Sequence, residues 1–285
     1  MILYFENSYG IGNTIIELSV LRTLNPHKKI IFFTSSKQIL PIQNSSIITV
    51  RYERNFLNRI LKTIFKKLFL YLSNLRLISL IYEEFRINKK KICLRKGLIS
   101  FISLVAYSNH FQIPEYLDNL DLILSSKFCD DLIKKELKNK KYTKINWNNA
   151  CFIHIRRGDY MYWPNARHPA ILNLSWYKKA IDIIKQKNNI TQFIICSNDI
   201  FFVKDIFETE KDFVIFHKNP FTDLCMMSKC RYGILSASSF SWLAAKISRS
   251  RFKNNQIFLA PRYWAGHRFK KWYPYKFKFD WIEYI

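Results

Sequence analysis

The stretch His154-Ile-Arg-Arg-Gly-Asp-Tyr160 holds the side chains best suited to chemistry: two adjacent arginines, a histidine and an aspartate directly after the apolar run Cys151-Phe152-Ile153. A guanidinium is a rigid fork of N–H donors that matches phosphate oxygens and stays charged at any working pH. Arg156 and Arg157 together therefore suggest a diphosphate or another doubly charged anion. A short apolar run ending in polar residues reads as a buried strand whose carboxyl end opens into a ligand crevice. The competing reading is a surface ion pair of Arg156 or Arg157 with Asp159. Three other segments weigh against it. Gly10-Ile-Gly-Asn13 falls between a first strand and a helix, where Gly10 and Gly12 let backbone approach a ligand and Asn13 caps the helix or bonds the ligand. Cys196-Ser-Asn-Asp199 ends another apolar run, with Asp199 either capping a helix or touching the ligand. In the string Asp223 to Ala245, serines including Ser238 and Ser239 open a helix just after a strand. Hydroxyls and unpaired backbone amides there make an anion site, or simply an N-cap.

The elements that must position these residues are legible in the second half. Apolar runs at 151–155, 192–196, 213–216, 233–236 and 256–259 alternate with stretches of helical spacing such as Trp176, Ala180, Ile183, Ile184 and Leu224, Met227, Cys230. Strand, helix, strand at this interval predicts a parallel sheet with helices on its faces, an α/β fold. The first half opens the same way, with a strand near Ile2 to Phe5, a helix near Asn13 to Leu24 and a strand at Ile30 to Phe33, and then loses the pattern. The polar segment 137–150 is the expected domain boundary.

Composition narrows the partners. With 46 Lys and Arg against 21 Asp and Glu, the chain of 285 residues carries a formal charge of +25, which draws it toward nucleic acid, an anionic membrane face or a phosphorylated substrate. A general drift toward Lys, Asn and Ile accounts for part of the excess. Between Arg51 and Lys96 lies a basic, leucine- and isoleucine-rich region that reads as helical and amphipathic. The favoured expectation is helices covering the first sheet with a solvated lysine face; a membrane-surface face is the other, and the two can coexist. The opening Met1-Ile-Leu-Tyr-Phe-Glu6 reads as a strand and not as a signal peptide. The uncharged stretch Gly97 to Pro114 is too polar to span a bilayer. Six cysteines lie far apart, neither a disulfide framework nor a zinc site, with Cys151 and Cys196 in the core and a reducing cytoplasm as the natural compartment. The tail from Lys271 to Trp281 interleaves aromatics with lysines and is expected to pack against the other domain, since exposed it would invite aggregation. Stacking on single-stranded nucleic acid is the alternative.

These residues resemble a known family. His154-Ile-Arg-Arg-Gly-Asp-Tyr160 is similar to the signature of the α-1,2-fucosyltransferases, inverting enzymes that move L-fucose from GDP-fucose to a galactoside. The string Asp223 to Ala245 is similar to their second long motif, Gly10-Ile-Gly-Asn13 to their N-terminal glycine motif, Tyr107 to Leu117 to a mid-chain aromatic segment, and Trp176 to Ala180 to the helix after the arginines. The resemblance implies a GT-B-like architecture of two Rossmann-like domains facing a cleft. Residues 1–145 would form the acceptor side and 146–285 the GDP-fucose domain. Carried over by motif, Arg156 would hold the diphosphate and stabilise it as it leaves, supported by Arg157. His154 and Asp223 would contact the guanosine. Ser238, Ser239 and Phe240 would line the phosphates, Gly10, Gly12 and Asp199 would complete the donor site, and Asn13 would reach toward the reacting centre. Asp159 or His168 would be the general base. The resemblance implies no metal and no cofactor; no Asp-x-Asp occurs anywhere in the chain. The expected partners are GDP-fucose and a glycan acceptor carried on a lipid, with no nucleic acid. Peripheral contact with an anionic membrane at its cytoplasmic face is expected. The chain departs from the family at Asn198-Asp199, where two acids are usual, at Phe202, Ala237 and Leu243, and at Thr14 in place of a glutamine. The rivals are a GT-B enzyme using another nucleotide sugar and a non-catalytic basic module that binds nucleic acid or membrane.

Overall fold

Two sheets, each built around a strand buried on both faces, organise the chain. The computed structural model describes every residue except 7–9, 36–45, 54, 87–88, 107–109, 119 and 271–277, with the side chains at 85, 86, 89 and 90 also outside the description. It divides into two compact units, Met1–Ile123 and Leu124–Ile285. Two successive α/β units of this kind are the composition expected of the GT-B plan.

In the first unit β1 (Ile2–Phe5) is followed by α1 (Ile11–Leu24), β2 (Ile30–Thr34), β3 (Ile47–Arg51), α2 (Phe56–Asn74), β4 (Ile78–Arg86), β5 (Lys89–Arg95), β6 (Ile99–Val105) and α3 (Pro114–Asp118). The strand order is β3-β2-β1-β6-β4-β5, parallel except for β5, which runs antiparallel to β4. All four residues of β1 are buried because β2 and β6 flank it and helices cover it, the usual burial of a parallel sheet. The lysine-rich β5 takes the edge, where the exposed Lys91 discourages pairing with another chain.

The second unit begins with α4 (Ser126–Leu137) and α5 (Lys140–Thr143). It continues through β7 (Ala150–Ile155), α6 (Leu174–Lys187), β8 (Gln192–Ser197), α7 (Ile200–Phe207), β9 (Phe213–Ile215), α8 (Pro220–Met227), β10 (Tyr232–Ile234), α9 (Ser239–Phe252), β11 (Phe258–Ala260) and β12 (Glu283–Tyr284). All six strands are parallel in the order β12-β11-β10-β7-β8-β9. Alternation along β7 splits its side chains: Cys151, Ile153 and Ile155 pack with Tyr177, Ala180 and Ile184 of α6 and Val203 of α7. Phe152 faces the other way, 6.3 Å from Phe258, and a Cβ on Gly233 of β10 would fall 2.3 Å from the Phe152 ring. Cys151 and Cys196 are core residues as expected, and burial pushes both thiols up.

Three expectations change. The division falls at 123/124 and not at 145/146, because α4 belongs to the second unit: Asp130 pairs with Arg251 at 2.6 Å and with Lys229 at 3.0 Å. The aromatic tail, where described, packs within its own unit, with Phe279 5.4 Å from Trp242 of α9 and Trp281 5.7 Å from Phe258 of β11; its 271–277 part lies outside the described residues. Among the described residues of 51–96 only α2 is helical, and it does not simply turn an apolar face inward: Lys62 and Lys66 are half-buried while Leu57, Ile60, Leu61, Ile64, Phe65 and Leu68 are exposed.

Candidate active site

The chain runs outward from β7 through β8 to β9, then returns through α8 to β10 on the other side of β7. The carboxyl ends of β7 and β10 therefore form the switch point of the sheet, the usual ligand crevice of an open α/β unit. There His154 and the β10–α9 loop meet. His154 Nδ1 lies 2.7 Å from Ser236 Oγ, and its ring centroid is 5.3 Å from that of Phe240. Burial, reinforced by the charge of Arg156, pulls the His154 pKa down to about 3, so the imidazole is neutral at any physiological pH. The Tyr160 hydroxyl donates to Ala237 O at 2.9 Å and ties the turn after β7 to the same loop.

The two arginines part company. Arg156 lies 5.3 Å from the Tyr160 ring centroid and pairs with Asp159 at 2.8 Å, beside His154 and the β10–α9 loop. Arg157 turns toward α7, where its Nε donates to Asp199 at 3.0 Å and its guanidinium covers the Phe202 ring at 3.7 Å. Alternation at the end of the strand separates them, as it separates Phe152 from Ile153. Only Arg156 thus stays beside His154 and the β10–α9 loop. Arg157 instead lines a cavity of about 670 Å³ with Trp176, Phe202, Tyr263, Arg262 and Arg268.

Most of the remaining polar residues double as caps. Asp199 caps α7 by accepting from Phe202 N at 3.1 Å while its other oxygen holds Arg157. Ser238 caps α9 by accepting from Phe240 N at 3.2 Å. The N-terminus of α9, with Ser239 in its first turn, so lies beside Ser236 and His154, with its amides and dipole suited to an anion. Asp223 sits in the first turn of α8, accepts from Lys218 N at 2.9 Å and lies 3.9 Å from His217 Nδ1. Burial raises its pKa to about 6, against the pull of the Lys218 amide and His217. His154 is in register with Cys196, whose Sγ is 3.9 Å from Asp223 O, so His154 and Asp223 approach the same stretch of β8.

Asp159 is taken up by Arg156, and His168 contacts Asn165 and Phe269. In the first unit Gly10 is the N-cap of α1 with an ordinary φ of −92°, and Gly12 lies inside the helix, so neither is demanded by backbone conformation. Asn13 Oδ1 accepts from Gln112 at 2.9 Å, and one turn on the fully buried Glu17 meets His110 Nδ1 at 2.6 Å. Burial raises the Glu17 pKa and the His110 bond opposes the rise. The part of the aromatic segment at 107–109 lies outside the described residues.

Sequence reading singled out no role for Ser236, Tyr160, Asn198 or the Glu17–His110 pair. Asn198 accepts from Arg157 N at 2.8 Å and donates to Arg157 O at 3.3 Å. A carboxylate could accept but not donate, so this departure from the family's two acids fits the turn it clamps. Glu17 carried a signal: a carboxylate amid the apolar positions of a buried helix needs a partner.

The family model for glycosyl transferase family 11 matches residues 10–285. The chain belongs to glycosyl transferase family 11. Among curated relatives it is 27% identical to the O-antigen biosynthesis glycosyltransferase WbnK of Escherichia coli over 203 residues, 67% of this chain and 63% of that protein. It is 26% identical to an alpha-1,2-colitosyltransferase of Escherichia coli over 72% of this chain and 69% of that one. It is 24% identical to galactoside alpha-(1,2)-fucosyltransferase 1 of Alouatta belzebul over 34% of this chain and 28% of that protein. The matched part thus spans under two thirds of the length of the first and third of these family 11 relatives.

Proposed function

We propose that this family 11 protein transfers L-fucose from GDP-L-fucose, with inversion, to a galactoside hydroxyl in α-1,2 linkage. The acceptor is a surface glycan carried on a lipid at the cytoplasmic face of a membrane. The observation that carries the reading is the placement of Arg156 near the neutral His154, Ser236 and the α9 N-terminus at the switch point of one parallel sheet. As the acceptor oxygen bonds to the anomeric carbon, the bond to the diphosphate breaks and negative charge collects on the leaving group. A fixed guanidinium and helix amides stabilise that charge without reorganising. His154 stays uncharged and serves as a neutral hydrogen-bonding partner, while Asp223 accepts N–H groups of the base. Asp159 orients Arg156.

The proton leaving the acceptor hydroxyl is taken by Asp159 or His168, the two candidate bases of the second unit. The name of the colitosyltransferase relative favours a second donor, a nucleotide carrying another deoxy sugar. A panel of nucleotide sugars scored by release of the nucleoside diphosphate separates the two. GDP-fucose turned over fastest in the presence of a terminal galactoside supports the first reading, and turnover of another donor alone overturns it.

A further inference from the structure

The apolar side of α2 faces outward. Leu57, Ile60, Leu61, Ile64, Phe65 and Leu68 are all exposed, Leu57 to 63% and Ile64 to 55%. Of its 19 residues only Ser73 is fully buried. A helix that merely covered a sheet would turn this stripe inward. Only its last turns do so, where Phe69 and Leu72 pack on Leu3, Phe5 and Ile78. Farther forward the helix rests on Lys62, which donates to Glu6 O at 3.4 Å and lies 5.4 Å from the Tyr52 ring.

The adjoining flank is basic. Arg59, Lys62, Lys66 and Lys67 line a groove of about 640 Å³ with Tyr52 and Ser35, and no described lining residue is acidic. Burial, with the neighbouring Lys62, lowers the pKa of Lys66, as expected where cations crowd together. The apolar flank continues past the helix end, since Leu75 is 53% exposed and Leu98, whose N–H donates to Arg76 O at 2.8 Å, is 84% exposed.

We propose that α2 is a membrane-docking helix that lies in the plane of an anionic bilayer, with Leu57, Ile64 and Leu68 in the interfacial layer and Arg59, Lys66 and Lys67 on lipid headgroups. It rests on the membrane contact included in the proposed function and names the surface that makes it. Charge complementarity selects this occupant. A helix with an apolar face and a Lys/Arg flank has the form of an interfacial helix, and anionic headgroups are complementary to the exposed Arg59 and Lys67 on that flank. A second copy of the chain would set like charges against like across the same flank, on a molecule already at +25.

The test is cosedimentation of the full-length protein with vesicles of phosphatidylcholine alone or with phosphatidylglycerol as a third of the lipid. Leu61→Glu/Leu68→Glu and Arg59→Gln/Lys66→Gln/Lys67→Gln are compared with the wild type, folding checked by circular dichroism and GDP binding. Wild type is expected to bind the anionic vesicles at least about tenfold more tightly than neutral ones, with salt weakening the contact, and each variant to lose at least about tenfold while keeping GDP affinity. Variants that bind as wild type does refute α2 as the docking element yet leave membrane contact standing. No binding by wild type overturns both. A wild-type dimer that Leu61→Glu/Leu68→Glu dissolves overturns the proposal in favour of a second copy. Docking by α2 with no turnover of GDP-fucose leaves the inference intact and removes the donor assignment alone.

Discussion

At the scale of single residues, Asp223 and His154 have opposite dependences on pH. The His154 pKa falls to about 3 in the folded chain, below its unfolded value, so its contribution to stability is full above about pH 6.5 and is lost as pH falls toward 3. The Asp223 pKa rises to about 6 from 3.8, so its contribution is full below 3.8 and is lost as pH rises through 6. At neutral pH the ionised Asp223 is therefore a destabilising group kept where an N–H donor would satisfy it. Asp223→Asn should raise stability at pH 7–8 by about 1–3 kcal/mol and leave it nearly unchanged at pH 4, as measured by urea denaturation. It should also weaken GDP binding at pH 7, and wild-type affinity should fall as pH drops below about 6 while the variant's stays level; calorimetric titration across that range checks both. A variant that binds GDP as tightly as wild type would remove Asp223 from the base site.

Among the elements, the turn after β7 is built for one conformation. Gly158 has φ +56°, and a Cβ there would lie 2.9 Å from Asn198 Nδ2, the group that clamps the Arg157 backbone. Gly158→Ala is expected to cost about 1–2 kcal/mol, read from thermal unfolding, and to lower turnover further by displacing Arg156. The strands that position the site were legible because parallel strands buried on both faces are continuous apolar runs: 151–155 and 192–196 match β7 and β8 to within a residue. Around β4, β5 and β6 that signal fails. The edge strand Lys89–Arg95 is mostly cationic, and β6 is exposed over Ile99–Phe101, so neither shows the apolar run of a buried strand. The chemistry of the β7 turn was legible as residue types, but the divergence of Arg156 and Arg157 depends on which way each side chain leaves the strand end. Ser236 gave no sign of its own because a serine after a strand reads equally as a cap.

For the molecule as a whole, Asp130 explains why the second unit starts earlier than composition suggests. Burial alone would raise its pKa, yet bonds from Arg251 and Lys229 outweigh that and hold it below 3.8. Its stabilising contribution is present above that value and is lost as pH falls through the lowered one. The carboxylate is partly exposed, so solvent screening limits the effect. Asp130→Asn should cost the second unit about 1 kcal/mol near neutrality, with a smaller difference from wild type in acid, as followed by denaturation at pH 7 and pH 3. Among the described residues no helix is long and apolar enough to cross a membrane. The charge of +25 would favour both the proposed membrane contact and the proposed anionic donor.

The most direct measurement is steady-state release of GDP from GDP-fucose, with a terminal galactoside as acceptor, by the wild type, Arg156→Ala and Arg157→Ala. The account predicts turnover by the wild type with an α-1,2-fucosylated product, a fall of about 10²–10³ in kcat for Arg156→Ala, and a smaller loss for Arg157→Ala. Arg156→Ala at the wild-type rate, or the larger loss at Arg157, would contradict it and shift the donor to the cavity beside α7.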